Sequence, residues 1–414
     1  VAVPSARLAG HWQAAGRWAE AGEAHLLAAR AAHRAGRLAD HGDLLLRAAE
    51  NFDQAGLAER RVDALCLRLD SELVRLGGQA VVDQVAPLLA QATPRQRADL
   101  LQVEAAALAN LARFDELLAR VNSLHQACAA WPALQVSALC LHGRALAWAG
   151  QAGQGVDLLE RAVAMARQMA DNGDADAPLA LALGHLGTVR YAHNEWRQAL
   201  ALMAQATELS LAHGNPADHA IHCANLASGW LQVGDPAGAL VHAQQAQQAY
   251  RRVHAQQGPM AAINDITLAQ CAAHQGDLAL ALHSLQSANR QLAEGGPPAG
   301  AVKAQVALAE LWLLLGQPQR ALARLAGAVD DPEAPPGVGT PWCDGGAFPP
   351  AQAGDALSGL WHFARASALR AAGALPAEVV AAQARAIALA DGLPNLGSSP
   401  GLLRDWLEQV RPER

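Results

Sequence analysis

The sequence predicts an all-α fold in which antiparallel helical hairpins stack side by side. Three observations carry that expectation. Alanine supplies about a quarter of the 414 residues while aromatics are only 4%, and alanine favours helices while contributing little to a strand-rich core. Glycine and proline punctuate the chain at helix-length intervals. Finally, Ala199, Ala239, Ala281 and Ala321 recur every 40 or 42 positions. The last three follow the turn signals Gly234-Asp235, Gly276-Asp277 and Gly316-Gln317. A period in that range marks repeats that bury their faces against neighbours rather than around one closed core.

Residues 1–75 read as N-terminal hairpins leading into the array. Ala15-Gly16, Ala35-Gly36 and Ala55-Gly56 fall 20 residues apart, and glycine just past a helix end can take the left-handed conformation that satisfies orphan carbonyls. Between them, Leu38, Leu44, Leu45, Ala48, Ala49 and Phe52 keep a helical period. Residues 76–136 read as degenerate helical repeats. Gly77-Gly78 breaks one helix, Thr93-Pro94 is a cap followed by proline in the first turn, and Leu111 to Asp115 is a hairpin turn.

Residues 137–330 carry the regular repeats, following a unit opened by Trp131-Pro132 and turning at Gly150. Residues 331–355 hold six prolines and five glycines, which cannot continue a helix and predict a surface loop or disordered excursion. Residues 356–414 close the array with a repeat turning at Gly373 and a capping helix over 402–410, Trp406 and Leu407 on its inner face.

With these residues laid out, the chain resembles a tetratricopeptide-repeat array. Leu186-Gly187, Trp196, Ala199 and Ala206 match that family's turn and packing positions. So do Leu226-Ala227, Gly234, Ala239 and Ala246, and again Leu268-Ala269, Gly276, Ala281 and Ala288. The resemblance implies a right-handed α-solenoid of antiparallel hairpins. It also implies that the first helix of each hairpin lines a concave wall where a protein or peptide segment, or a small regulatory ligand, is bound. The register then places Arg144, Trp148, Thr188, Tyr191, Ser228, Gln232, Gln270, His274 and Glu310 on that wall. Asn225 falls where the family often bonds a peptide backbone.

The opening Leu8-Ala9-Gly10-His11-Trp12 and Gly16-Arg17-Trp18-Ala19-Glu20-Ala21 are similar to the helical region that follows the nucleotide-binding core of large bacterial signalling ATPases and transcriptional activators. That similarity implies an ATP-binding module upstream in the parent chain. The absence of an initiator Met fits a piece of a larger polypeptide.

Composition narrows the function classes. Charged residues are 17% and the net charge is -7, Lys303 is the only lysine, and no basic stripe is present, so direct nucleic-acid binding is not expected. Six cysteines lack CxxC spacing, which fits a reducing cytoplasm. No signal-peptide core and no apolar stretch long enough to span a bilayer occur.

Chemistry is equally sparse. Gly150, Gly153 and Gly155 lack the lysine of a phosphate-binding loop, and HExxH, EF-hand and GxSxG patterns are absent. His219, His222 and Cys223 share one helix face, echoed by Cys271 and His274, but no fourth ligand accompanies them; a structural role is expected. No catalytic residue, metal or cofactor is therefore assigned to this fragment. Trp12, Trp18, Trp196, Trp230 and Trp312 fall at core positions, whereas Trp342 and Phe348 lie in the proline-rich stretch. The sequence thus reads as a non-catalytic interaction or ligand-sensing module of a bacterial signalling ATPase or transcription regulator. A free-standing scaffold that assembles other proteins is the alternative.

Overall fold

The computed structural model describes residues 5–35, 37–76, 78–172, 177–193, 195–212, 216–252, 259–293, 298–325 and 354–390. Every regular element among them is an α-helix: α1 (Ser5–Ala14), α2 (Trp18–Arg34), α3 (Leu38–Gln54), α4 (Ala58–Leu76), α5 (Gly78–Leu89), α6 (Pro94–Asn110), α7 (Phe114–Cys128), α8 (Pro132–Trp148), α9 (Ala152–Asp171), α10 (Ala177–Ala192), α11 (Trp196–Ala212), α12 (Pro216–Gln232), α13 (Pro236–Arg252), α14 (Pro259–His274), α15 (Leu278–Ala293), α16 (Pro298–Leu314), α17 (Pro318–Leu325), α18 (Gly354–Ala371) and α19 (Pro376–Ala390). Most of the 331–355 stretch and the 402–410 helix, with Trp342, Phe348, Trp406 and Leu407, lie outside the described residues; helix already resumes at Gly354.

The turn phrase in the sequence has a two-part physical meaning. Its glycine ends one helix and its aspartate starts the next. Gly16, Gly56, Gly150, Gly234, Gly276, Gly316 and Gly373 all have positive φ, and the residue that follows each reaches back into the finished helix. Leu57 N–H donates to Phe52 O at 2.8 Å, Gln151 to Leu146 O at 2.8 Å and Gln317 to Trp312 O at 2.8 Å, satisfying carbonyls that a free helix end leaves bare. The Asp235 carboxylate then accepts from Gly238 N–H at 2.8 Å and Asp277 from Leu280 N–H at 3.0 Å, capping α13 and α15.

Residues 76–136, the least regular in sequence, are built the same way. Thr93 and Gln96 form a reciprocal capping box at the start of α6. Ala112 takes the turn glycine's place with φ 58°.

The chain divides into two compact units, one of Val1–Val189, Gln205–His219 and Gln248–Gly258, the other of Arg190–Ala204, Ala220–Gln247 and Pro259–Arg414. In the first unit consecutive helices from α1 to α8 pack against each other, as do α8 and α9, and α4, α6 and α8 also touch next-but-one along a row. Its interior is a series of local clusters rather than one core. Leu26, Leu45 and Phe52 centre one, Val81, Val85 and Leu100 the next, and Leu108, Leu117 and Leu141 a third. This is what stacking of nearest neighbours produces.

The second unit repeats the plan. α14 packs on α15, α15 on α16 and α18 on α19, while α14, α16 and α18 form the next-but-one row. Here the sequence period shows its cause. Ala199 is 1% exposed and Ala239, Ala281 and Ala321 are 0% exposed, each buried where a larger side chain would have to displace its packed neighbours. Ala239 lies between Leu231 and Cys271, against Trp230 and Leu240. Replacing Ala239 by leucine is expected to lower stability by about 1–3 kcal/mol through overpacking; an unchanged thermal midpoint would show that this crossing has room to spare.

Candidate binding surface

The residues expected on a recognition wall all belong to even-numbered helices. Arg144 and Trp148 are on α8, Thr188 and Tyr191 on α10, Asn225, Ser228 and Gln232 on α12, Gln270 and His274 on α14, and Glu310 on α16. Arg144, Ser228, Gln270 and Glu310 each stand six residues before the left-handed glycine of their own hairpin, and Trp148, Gln232 and His274 two before it. The spacing is equivalent from hairpin to hairpin, so each set samples the same face of its helix. Arg144, Thr188, Ser228, Gln270 and Glu310 are all half-buried.

In the second unit one contact stitches the row together. The Ser228 hydroxyl lies 3.3 Å from that of Thr267, joining α12 to α14 across the face that carries Gln270. Asn225, one turn before Ser228, is half-buried. Thr267 was not singled out in the sequence; it stands nine residues before Gly276, and only the offset between neighbouring hairpins brings it opposite Ser228. His274 is exposed, and Glu310 is half-buried on α16. Tyr191 is half-buried with its phenol pushed up by burial. The side chain of Gln232 lies outside the described ones.

In the first unit Thr188 turns its hydroxyl back to Gly184 O at 2.9 Å, a bond inside its own helix. Arg144 reaches Ala109 O at 3.3 Å through Nη2, at the C-terminal turn of α6. Its Nε is sealed from water with no hydrogen-bond partner among the described residues, and burial pushes the guanidinium down to about 10. A cation in that setting favours an arriving carboxylate or carbonyl oxygen. Trp148, one turn on, is 40% exposed and presents its indole at the surface. Gln102 and Ser137 make a further bond between α6 and α8; neither stood out in the sequence.

No set of three His, Cys, Asp or Glu side chains among the described residues is arranged to hold an ion. His219 turns Nδ1 toward Thr207 O at 3.3 Å, while His222 and Cys223 are buried. Burial pushes the Cys223 thiol up to about 11 and that of Cys271 to about 12, which leaves both protonated and inert at neutral pH.

Of the tryptophans read as core, Trp312 is buried at 8% exposure, Trp18 is exposed at 37% and Trp12 is half-buried under the Arg17 guanidinium. Trp230 packs at the edge of the Ala239 cluster, and the Trp196 side chain lies outside the described ones.

Hairpins closed by left-handed glycines, small residues at the crossings and a next-but-one row of first helices define a class: the chain is a tetratricopeptide-repeat-like helical array. Comparison with known proteins leaves it at that class. No family model matches the sequence, and no curated protein does.

Solved structures with similarity include BtubC (BKLC) from P. vanneervenii, at 17% identity and TM-score 0.43, covering 53% of this chain and 88% of that one. A signal-transduction ATPase with numerous domains and a tetratricopeptide repeat sensor, from Pyrococcus horikoshii, aligns at 12% identity and TM-score 0.46 over 89% of this chain. This chain spans about half, 54%, of that protein's length. An APC/C hetero-tetramer aligns at 13% identity and TM-score 0.44, covering 99% of this chain and 90% of that one.

Proposed function

We propose that the chain is a protein-interaction module, binding rather than catalytic, which receives an extended protein segment on α12, α14 and α16 of its second unit. The observation that carries this reading is the register. Polar, half-buried side chains recur six residues before successive turns, on the helices that touch next-but-one, and they include Ser228, Gln270 and Glu310 in the second unit. A stack of hairpins offers such a face without any need of a pocket.

Site-specific photo-crosslinking tests it. A crosslinker at Gln270 is expected to capture a partner polypeptide in cells, whereas one at Val241, 53% exposed on an odd-numbered helix, is not. Adducts from Val241 alone would overturn the assignment.

The finer reading is that the module regulates a bacterial signalling ATPase or transcription regulator in the cytoplasm. Its support is the His11-Trp12 to Ala21 opening. Joining the chain to its native upstream sequence and measuring ATP hydrolysis with and without residues 137–330 tests that step. A rate indifferent to the deletion contradicts it.

A further inference from the structure

The first three helices enclose a hydrogen-bond chain that the binding reading does not use. Gln13 on α1 donates from Nε2 to Asn51 Oδ1 at 2.9 Å. Asn51, on α3 and 2% exposed, places its Nδ2 at 2.6 Å from Arg47 O and at 3.0 Å from Nδ1 of His25 on α2. The Arg47 carbonyl can only accept, so the atom facing it must be the amide nitrogen. That fixes the Asn51 amide, makes His25 Nδ1 an acceptor and leaves the imidazole neutral with its proton on Nε2. The three polar groups then point one way, from α1 through α3 into α2.

We infer that this chain is an acid-released latch on the first hairpins, in which a proton on His25 unfastens α1 and loosens α2 from α3. Protonation converts Nδ1 from acceptor to donor and sets it against the Asn51 amide N–H. Turning the amide over restores that contact only by placing Oδ1 against the Arg47 carbonyl and by forcing the Gln13 amide to turn with it. One link of the chain is lost whichever way the amide faces, and leaving a buried group unpaired is costly.

The surroundings do not neutralise the new charge. His25 is held below the ordinary histidine value first by burial, then by the Arg47 guanidinium from α3, with the Ala21 carbonyl working weakly the other way. From α1 the facing group is the neutral Gln13 amide. Of the carboxylates on these helices, Glu20 pairs with Arg17, Glu23 with Arg60, Asp40 with Arg37 and Asp53 with Arg61, while Asp43 and Glu50 lie on the exposed face of α3. A second buried histidine acts in the same direction. His41 on α3 donates from Nδ1 to Ala29 O of α2 at 2.9 Å, and burial, with the His33 ring 5.0 Å away, keeps it low.

The sign follows from the lowered values. The unfolded state binds more protons than the folded one, so these groups contribute stability above the ordinary histidine pKa, about 6.5, and the contribution fades as pH falls from there through the folded value.

Hydrogen exchange of the whole chain at pH 7.5 and 5.5, corrected for intrinsic rates, tests the latch. The amides of α1 and α2 are expected to lose protection at the lower pH, by up to about tenfold per pH unit, the limit for one linked proton, while those of α5 and α6, which carry no histidine, hold. His25→Gln offers Asn51 a permanent acceptor and is expected to remove the α1 response. Imidazole NMR of the unaltered protein keeps the question open to test if that variant does not fold. His25 is expected to titrate below the ordinary histidine value, about 6.5, in step with the loss of α1 protection. Protection of α1 that is flat across the range, an undiminished response in His25→Gln, or a His25 midpoint at or above that ordinary value would overturn the inference.

Discussion

Gly155→Val is expected to cost about 3 kcal/mol or more, the upper end of overpacking, and to open the α8–α9 hairpin selectively. Gly143 and Gly155 face each other where the two helices cross. A Cβ on Gly155 would sit 2.5 Å from Gly143 O and 2.9 Å from Ala147 N, and one on Gly143 2.7 Å from Gly155 O. These obstacles are backbone atoms, which cannot rotate aside as a side chain can. Relief requires the helices to separate, and Leu141 and Ala145 of the adjoining cluster separate with them. Because such arrays are stabilised through nearest neighbours, hydrogen exchange should accelerate in α8 and α9 while α14 to α16 keep their protection. A wild-type thermal midpoint would mean that this crossing is not as close as described.

Phe52→Ala should be comparably severe, about 3–5 kcal/mol for emptying a buried aromatic site. Phe52 is 0% exposed and packs in the cluster of Leu26, Leu45 and Ala49. Its ring lies over Gly22, so close that a Cβ there would meet ring carbons at 2.5 to 2.9 Å, and the Arg60 guanidinium covers it at 5.3 Å. An alanine-lined interior has few large side chains that can move in to fill the void. Denaturant unfolding read out through α2 and α3 checks this. Phe52→Leu, which retains most of the volume, should lose markedly less, and equal losses for the two variants would assign the effect to something other than the cavity.

What the sequence made legible is what each hairpin writes in contiguous residues. The left-handed glycines, the Asp235 and Asp277 caps, the Thr93-Pro94 start and the buried alanines every 40 or 42 positions each obey a local rule. The missed features depend on the offset between neighbours. Ser228 and Thr267 are 39 residues apart and His25 and Asn51 are 26 apart, and no local rule brings them together.

Gly155 illustrates the same limit. Beside Gly150 and Gly153 it suggests a failed phosphate loop, and only the packed hairpin shows it as the point of closest helix approach. Trp18 lies at a core-like spacing yet is 37% exposed, while Trp312, read the same way, is buried; the difference depends on what neighbouring helices bring against each indole, which spacing alone does not record. The helix that carries each expected wall residue was readable, but not which of those side chains would be half-buried.

The recognition face of the second unit requires α12 to lie beside α14, and the Ser228–Thr267 contact is where that is measured most directly. In a Ser228→Cys, Thr267→Cys variant the two sulfurs should approach closely enough to join under mild oxidation, since a disulfide requires α-carbons within about 7 Å. The nearby native thiols of Cys223 and Cys271 stay protonated and unreactive. The row predicts a single new disulfide linking the α12 and α14 peptides in a mass-spectrometric digest, with helicity unchanged. Two free thiols at 228 and 267 in a fully folded protein would contradict it.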